Sequence, residues 1–165
     1  MPRTAIRLCL LAALAVGPAG AAARCVTDIA VFEPGRVRIP ASLDRAAATR
    51  AVMRAFVIRG WRVTRVDRAA GHVDAELPVR QHVARVRARI GSGAVSFAYR
   101  RSDNLPHGWE AGEQPLRSGS CTPMVEERPG PDAPELVHPN YAIWVDDVAR
   151  TLEGTLRLAA LPAPG

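Results

Sequence analysis

Four consecutive runs of alternating apolar and polar residues, between Trp61 and Tyr99, constrain the fold of this 165-residue chain more than any other feature. Every second residue in each run is apolar, a period of two that is typical of strands with one buried face. The runs cover residues 61–64, 72–77, 84–90 and 95–99. Short connections with turn residues, such as Ala70-Gly71 and Gly91-Ser92-Gly93, favour an antiparallel meander of four strands.

Two segments with helical periodicity flank these runs. Apolar residues recur at three- and four-residue spacing over 42–59, where Ser42 is the predicted N-cap and Gly60 follows the last helical residue. A second apolar stripe, over 140–157, begins after Pro139, a residue suited to the first helical position. The expected fold is α+β with two layers: a four-stranded antiparallel meander sheet with two helices packed on one face.

The N-terminal residues have the parts of a secretory signal peptide. Arg3 and Arg7 precede an apolar run over 8–16, and Ala21-Ala22-Ala23 is a small-residue cleavage site. The apolar run is shorter than the roughly 20 residues that a membrane-spanning helix needs. We therefore expect residues 1–23 to be removed during export.

The rest of the chain is expected to form one domain over residues 24–158, with a flexible tail over 159–165. Mixed apolar residues predict a short edge strand within 25–33 and a further extended stretch over 36–39. Residues 102–139 are rich in proline and glycine and predict a long irregular loop.

Cys25 and Cys121 remain in the mature chain, because Cys9 lies in the expected signal peptide. An isolated pair in an oxidising compartment predicts a disulfide, which would tie the N-terminus to the 102–139 loop. Lipid attachment at Cys25 requires a small residue directly before the cysteine. Arg24 occupies that position, so we expect no lipid anchor.

A row of arginines, Arg85, Arg87 and Arg89, lies on one face of a predicted strand. Asp74 and Glu76 share that face on the preceding strand. If the turn is centred between Arg80 and Gln81, Glu76 lies opposite Arg85 and Asp74 lies opposite Arg87. The pattern therefore predicts cross-strand ion pairs.

Two interpretations of this face remain open. Opposite charges across strands contribute roughly 0.2–1 kcal/mol each, which is sufficient to explain a solvated sheet face. The alternative is a face that binds an anionic envelope component, since all 22 basic residues are arginine and the net charge of +6 leaves +4 after removal of Arg3 and Arg7. GC-rich coding is the simpler explanation of the arginine bias. The residues of that anion-binding face would be Arg62, Arg85, Arg87, Arg89 and Arg100.

Residue types used in catalysis and metal binding occur without the spacing that such sites need. The four histidines fall on different predicted elements, so we expect no metal site and no cofactor; they are His72, His82, His107 and His138. Ser102-Asp103-Asn104 lies close to His107 in sequence, but this crowding is typical of turn chemistry, with Asp and Asn capping backbone groups. No catalytic residue is predicted.

Most aromatic residues are expected in the core rather than on a surface that stacks bases or sugars. The predicted core aromatics are Trp61, Phe97, Tyr99, Tyr141 and Trp144. Trp109 stands alone in the predicted loop, where it either contacts a partner or pins the loop.

Several motifs together resemble a group of small, uncharacterised proteobacterial envelope proteins, many of them lipoproteins. The motifs are Arg59-Gly60-Trp61, Ala75-x-Leu77 followed by His82 and Ile90, Phe97-x-Tyr99-x-x-Ser102-x-Asn104-Leu105, and His138-Pro-Asn-Tyr-x-x-Trp144-Val145. The resemblance covers residues 42–157 and implies a periplasmic α/β domain, without implying an activity or a catalytic residue. Membrane anchoring does not carry over, because this chain lacks the lipobox.

We expect a non-catalytic binding or interaction module of the cell envelope, whose partner is an anionic envelope component or an envelope protein and not a nucleic acid. A small periplasmic enzyme with its site under the 102–139 loop is one alternative. A structural accessory of an envelope complex is another. The sequence sets neither the ligand nor the oligomeric state.

Overall fold

A computed structural model describes residues 23–111 and 121–162, which form two antiparallel sheets and two helices. The predicted signal peptide, apart from its last residue, and the final three residues of the predicted tail lie outside this range. Along the chain the elements are β1 (Arg24–Val26), β2 (Ala30–Val31), β3 (Val37–Arg38), α1 (Arg45–Ile58), β4 (Arg62–Asp67), β5 (His72–Val79), β6 (His82–Ile90), β7 (Ala94–Asp103), β8 (His107–Glu110), β9 (Thr122–Val125), β10 (Glu135–Val137) and α2 (Pro139–Ala159).

The predicted α+β class is confirmed, but the single four-stranded sheet is wrong. The first sheet has the strand order β1-β9-β8-β10-β2, and the second has the order β3-β7-β6-β5-β4. Three of the first sheet's strands, β8, β9 and β10, lie within the segment predicted as an irregular loop. They escaped prediction because they have only three or four residues each, and β9 contains Pro123.

The second sheet contains the four predicted strands as β4 to β7, with β3 added beside β7. Its register confirms the expected pairs, since Asp74 lies opposite Arg87 and Glu76 opposite Arg85. Two bulges interrupt the alternation. One leaves Thr64 as the extra residue in β4, and the other leaves Arg100 as the extra residue in β7.

Helix α1 begins at Arg45, later than predicted, and its N-cap is Asp44 rather than Ser42. A carboxylate oxygen of Asp44 accepts a hydrogen bond from the backbone N–H of Ala47 at 2.6 Å. Ser42 instead lies in a turn. Helix α2 begins at Pro139 as predicted, and it includes Ala159, the first residue of the predicted tail.

One hydrophobic core joins the two helices to the inner face of the second sheet. Phe56 from α1, Val86 from β6 and Leu152 from α2 are each fully buried. Of the predicted core aromatics, three are buried: Trp61, Phe97 and Tyr141. Tyr99 and Trp144 are only partly buried at the edge of this core, so the prediction that they are core residues is corrected for these two.

The first sheet is closed by the predicted disulfide. Cys25 in β1 is bonded to Cys121, directly before β9, with 5.5 Å between the two Cα atoms and a sequence separation of 96 residues. The bond therefore fixes two neighbouring strands of one sheet. Neither helix in the described part of the chain is long and apolar enough to cross a membrane.

Candidate functional site

Ion pairs occupy most of the arginines that were predicted to form an anion-binding face. Arg87 binds Asp74 in a bidentate pair, in which its Nε and Nη2 donate to the two carboxylate oxygens at 2.6 and 2.7 Å. Both side chains are less than one-fifth exposed, at 17% and 18%. The hydrogen bond from Arg87 lowers the pKa of Asp74 below its usual value, so this carboxylate is ionised.

Arg85 and Arg62 share a second carboxylate on the same outer face of the second sheet. Arg62 donates to Glu76 at 2.7 Å, and Arg85 lies 3.5 Å from the same side chain. Arg85 also donates to Asp103 at 2.9 Å, which lowers the pKa of that carboxyl. The solvated-face interpretation therefore accounts for Arg62, Arg85 and Arg87.

Arg101 belongs to this face, although the sequence analysis missed it. Strict alternation after Phe97 and Tyr99 would turn Arg101 toward the core. The bulge at Arg100 shifts the register by one residue, so Arg101 lies opposite Arg85 and donates to Asp103 at 3.2 Å. Two adjacent arginines within a strand are the signal that could have indicated the irregularity.

Two of the predicted arginines are exposed and form no ion pair with any residue in 23–111 or 121–162: Arg89 and Arg100. Arg100 lines a groove of about 270 Å³ on the outer face, together with Thr64, Asp74, Ala75, Arg85, Val86 and Arg101. Arg89 lies opposite His72 and Ser96, outside the lining of this groove.

A larger cleft, of about 560 Å³, opens where the two sheets meet. Strands β1 and β9 of the first sheet form one side, and the end of β7 with the following turn forms the other. The lining residues are Arg24, Cys25, Val26, Tyr99, Ser102, Leu105, Pro106, His107, Met124 and Glu126. Arg24 in β1 forms an ion pair with Glu126, directly after β9, and this pair links the two strands on that side of the cleft.

One wall of this cleft is a stacked pair of rings. The Tyr99 and His107 ring centroids are 3.6 Å apart, with an angle of 4° between the ring planes. Tyr141 supports Tyr99 from the core side at 5.1 Å, and Trp109 meets the His107 ring edge-on at 6.0 Å. The wall is therefore fixed by packing from both sheets and from α2.

Hydrogen bonds already engage the polar groups of the cleft. Ser102 Oγ lies 3.1 Å from the Leu105 carbonyl and 2.8 Å from the Tyr99 hydroxyl. A carbonyl only accepts, so Ser102 donates to Leu105 and accepts from Tyr99. His107 Nε2 lies 2.9 Å from Glu135 Oε1. No hydrogen bond joins Ser102 to His107 in the described part of the chain, so the two do not form a nucleophile–base pair.

The Ser102-Asp103-Asn104 segment was predicted as a turn, but Ser102 and Asp103 are the last residues of β7 and only Asn104 lies in the turn that follows. Asn104 has a left-handed backbone, with φ of 58°, and its side chain donates to the Gln81 carbonyl at 2.6 Å. Asp103 binds two arginines rather than capping the backbone.

Trp109 is pinned within the first sheet. It lies in β8 between Val125 and Glu135, and the Arg128 guanidinium lies 4.7 Å from its ring centroid. The Trp109 ring is partly buried, which favours the predicted role of holding this segment in place over contact with a partner.

The histidines lie apart from one another, on β5, β6, β8 and the N-cap of α2. Among residues 23–111 and 121–162, no three or more His, Cys, Asp or Glu side chains are grouped closely enough to hold a metal ion. The chain matches no protein-family model, no curated protein and no solved structure. The resemblance to proteobacterial envelope proteins therefore stays a prediction.

Proposed function

We propose that this chain is an exported, non-catalytic binding protein of the cell envelope, which holds a small ligand in the cleft between its two sheets. Export is inferred from the signal-peptide pattern, and the disulfide supports it because such bonds persist in oxidising compartments. The observation that carries the binding site is the stacked wall of Tyr99 and His107 in a cleft of about 560 Å³.

The volume of the cleft suits a small molecule, and its lining is mixed polar and apolar. Ligand pockets typically have volumes of about 300–1,000 Å³ and are mainly apolar, with a few fixed polar groups. Here Val26, Leu105, Pro106 and Met124 provide apolar surface beside the aromatic wall.

The hydrogen-bond directions define the chemistry of the ligand. Tyr99 and Ser102 have both committed their protons, so their oxygens and the Leu105 carbonyl offer acceptor sites to a ligand. The aromatic edges of the stacked pair favour a ligand that itself carries an aromatic group. We therefore infer a planar ligand with N–H or O–H donors.

Binding can be tested with tyramine and tryptamine, two planar probes with such donors, by saturation-transfer NMR on the disulfide-bonded mature chain. Tyr99→Leu should reduce the signal strongly, since it removes half of the stacked wall. Arg54→Ala, at an exposed position of α1, is the control and should bind as the unmodified protein does. Equal binding by Tyr99→Leu and Arg54→Ala would contradict the assignment.

The enzyme alternative has one observation in its favour, the pair of His107 and Glu135 beside the cleft. An imidazole hydrogen-bonded to a carboxylate is a common acid–base arrangement. Hydrolysis of p-nitrophenyl acetate distinguishes the two functions. The binding proposal expects the same low rate from the unmodified chain and from His107→Gln, whereas a rate that depends on His107 would favour an enzyme.

A further inference from the structure

The groove on the outer face of the second sheet lies between two β-bulges. Thr64 is the extra residue of the bulge in β4, and Arg100 is the extra residue of the bulge in β7. Both residues line the groove. Bulges re-aim side chains and often occur beside binding sites, so two bulges that frame one groove make this part of the solvated face a candidate site.

Charge in and around this groove is not balanced. Three carboxylates, Asp74, Glu76 and Asp103, serve four arginines through ion pairs, because Glu76 and Asp103 are each shared by two guanidinium groups. Arg100 adds a fifth positive charge without a carboxylate of its own among the described residues. The network therefore has a surplus of two positive charges.

The guanidinium groups that line the groove are Arg85, Arg100 and Arg101. Arg85 and Arg101 share Asp103, which leaves donors on both side chains for another acceptor. Asp74 also lines the groove, but its two oxygens accept from Arg87, which compensates its charge.

We propose that this groove binds a tetrahedral oxyanion with two negative charges, of the phosphate-monoester type, held by Arg100, Arg101 and Arg85. A dianion matches the surplus charge, and arginine forks match the spacing of phosphate oxygens. The groove, with a volume of about 270 Å³, has ample room for a group of this kind. The site lies on the outer face of the sheet and shares no lining residue with the cleft.

Isothermal titration with inorganic phosphate at low salt and pH 7.5 tests the site in the disulfide-bonded mature chain. Arg100→Ala should weaken binding by about tenfold or more, the loss expected for one charge-assisted bidentate contact. Added sodium chloride should weaken binding by the unmodified chain, because the contact is electrostatic.

Arg89→Ala is the matched control, because this substitution removes the same charge from the same face. Arg89 is exposed but does not line the groove. It should retain most of the phosphate affinity. Both arginines are exposed and form no described ion pair, so neither substitution should alter the circular-dichroism spectrum. Equal losses in the two variants would indicate diffuse attraction and overturn the site, as would the absence of phosphate binding by the unmodified chain.

A second experiment distinguishes a phosphate group on a lipid from a free phosphate monoester. It measures co-sedimentation of the protein with phosphatidylcholine vesicles that contain phosphatidic acid. Sedimentation that depends on Arg100 and is competed by inorganic phosphate would place the group on a lipid. Phosphate binding without sedimentation would indicate a free phosphate monoester. Sedimentation without any phosphate binding would overturn the groove as a phosphate site.

Discussion

Tyr141→Phe removes one oxygen atom from the middle of the molecule, and its effect follows from the bulge in β7. Tyr141 is 1% exposed, and its ring packs between Phe32 and Tyr99. Its hydroxyl donates to the Arg85 backbone carbonyl at 2.8 Å. Burial raises the pKa of this hydroxyl, and the nearby backbone N–H of Arg100 offsets only a small part of that rise.

The hydroxyl therefore satisfies the Arg85 carbonyl at the point where the bulge interrupts the ladder between β6 and β7. Phenylalanine keeps the ring and its packing but leaves the Arg85 carbonyl without this donor. A buried polar group that loses its partner costs about 1–3 kcal/mol. We expect the free energy of unfolding to fall by about that amount, most of it from the backbone rather than from lost apolar contact.

Urea unfolding followed by far-ultraviolet circular dichroism measures this change. Tyr99→Phe is the matched control, because it deletes the same atom from a partly buried ring whose partner, Ser102, keeps its bond to Leu105. The control should cost less than about 1 kcal/mol. A Tyr141→Phe protein as stable as the unmodified chain, or no less stable than the control, would refute the role assigned to this hydroxyl.

Three further predictions concern the ion pairs and the disulfide. Arg87→Ala should lower the free energy of unfolding by about 1–3 kcal/mol, because it leaves a mostly buried Asp74 without its bidentate partner. This loss is larger than that expected for an exposed ion pair, so a loss below about 0.5 kcal/mol would contradict the prediction. The pKa values of Asp74 and Asp103 are lowered in the folded state, so these two carboxylates stabilise the fold fully above the unfolded value near 3.8 and lose that effect as pH falls through the lower folded values. Urea unfolding between pH 5 and pH 2 should show the free energy of unfolding decline, and Asp74→Asn should make this decline shallower. Cys25 and Cys121 should react with a maleimide only after reduction, which should lower stability by about 4.7 kcal/mol in the chain-entropy account; labelling of the folded, unreduced protein would contradict the bond.

The second sheet could be predicted from the sequence because its information is local. Alternation over consecutive strands identifies β4 to β7, and short turns set the register that pairs Asp74 with Arg87. The bulges could not be predicted in this way. Alternation continues on either side of Thr64 and Arg100, so the one-residue shift that places Arg101 outward leaves little trace in the pattern.

The first sheet was missed because its strands are short and their partners are distant in sequence. Gly108 in β8 is one local sign of it. A Cβ at this position would lie 2.5 Å from the Val125 carbonyl oxygen and 2.6 Å from Met124 Cγ, so the close approach of β9 requires glycine. An isolated glycine in a strand often marks such an approach. The cleft depended on this sheet and was therefore hidden as well, although Tyr99, Ser102 and His107 were all singled out.

Strand β7 carries both proposed sites on consecutive residues. Tyr99 belongs to the wall of the cleft, and Arg100 and Arg101 belong to the groove on the opposite face. Tyr141 contacts the Tyr99 ring and also holds the bulge. A cleft ligand that displaced the Tyr99 ring would therefore be felt in the proposed phosphate groove through the backbone of β7. Thermodynamic linkage would make any such effect reciprocal, with each ligand changing the affinity of the other by the same factor.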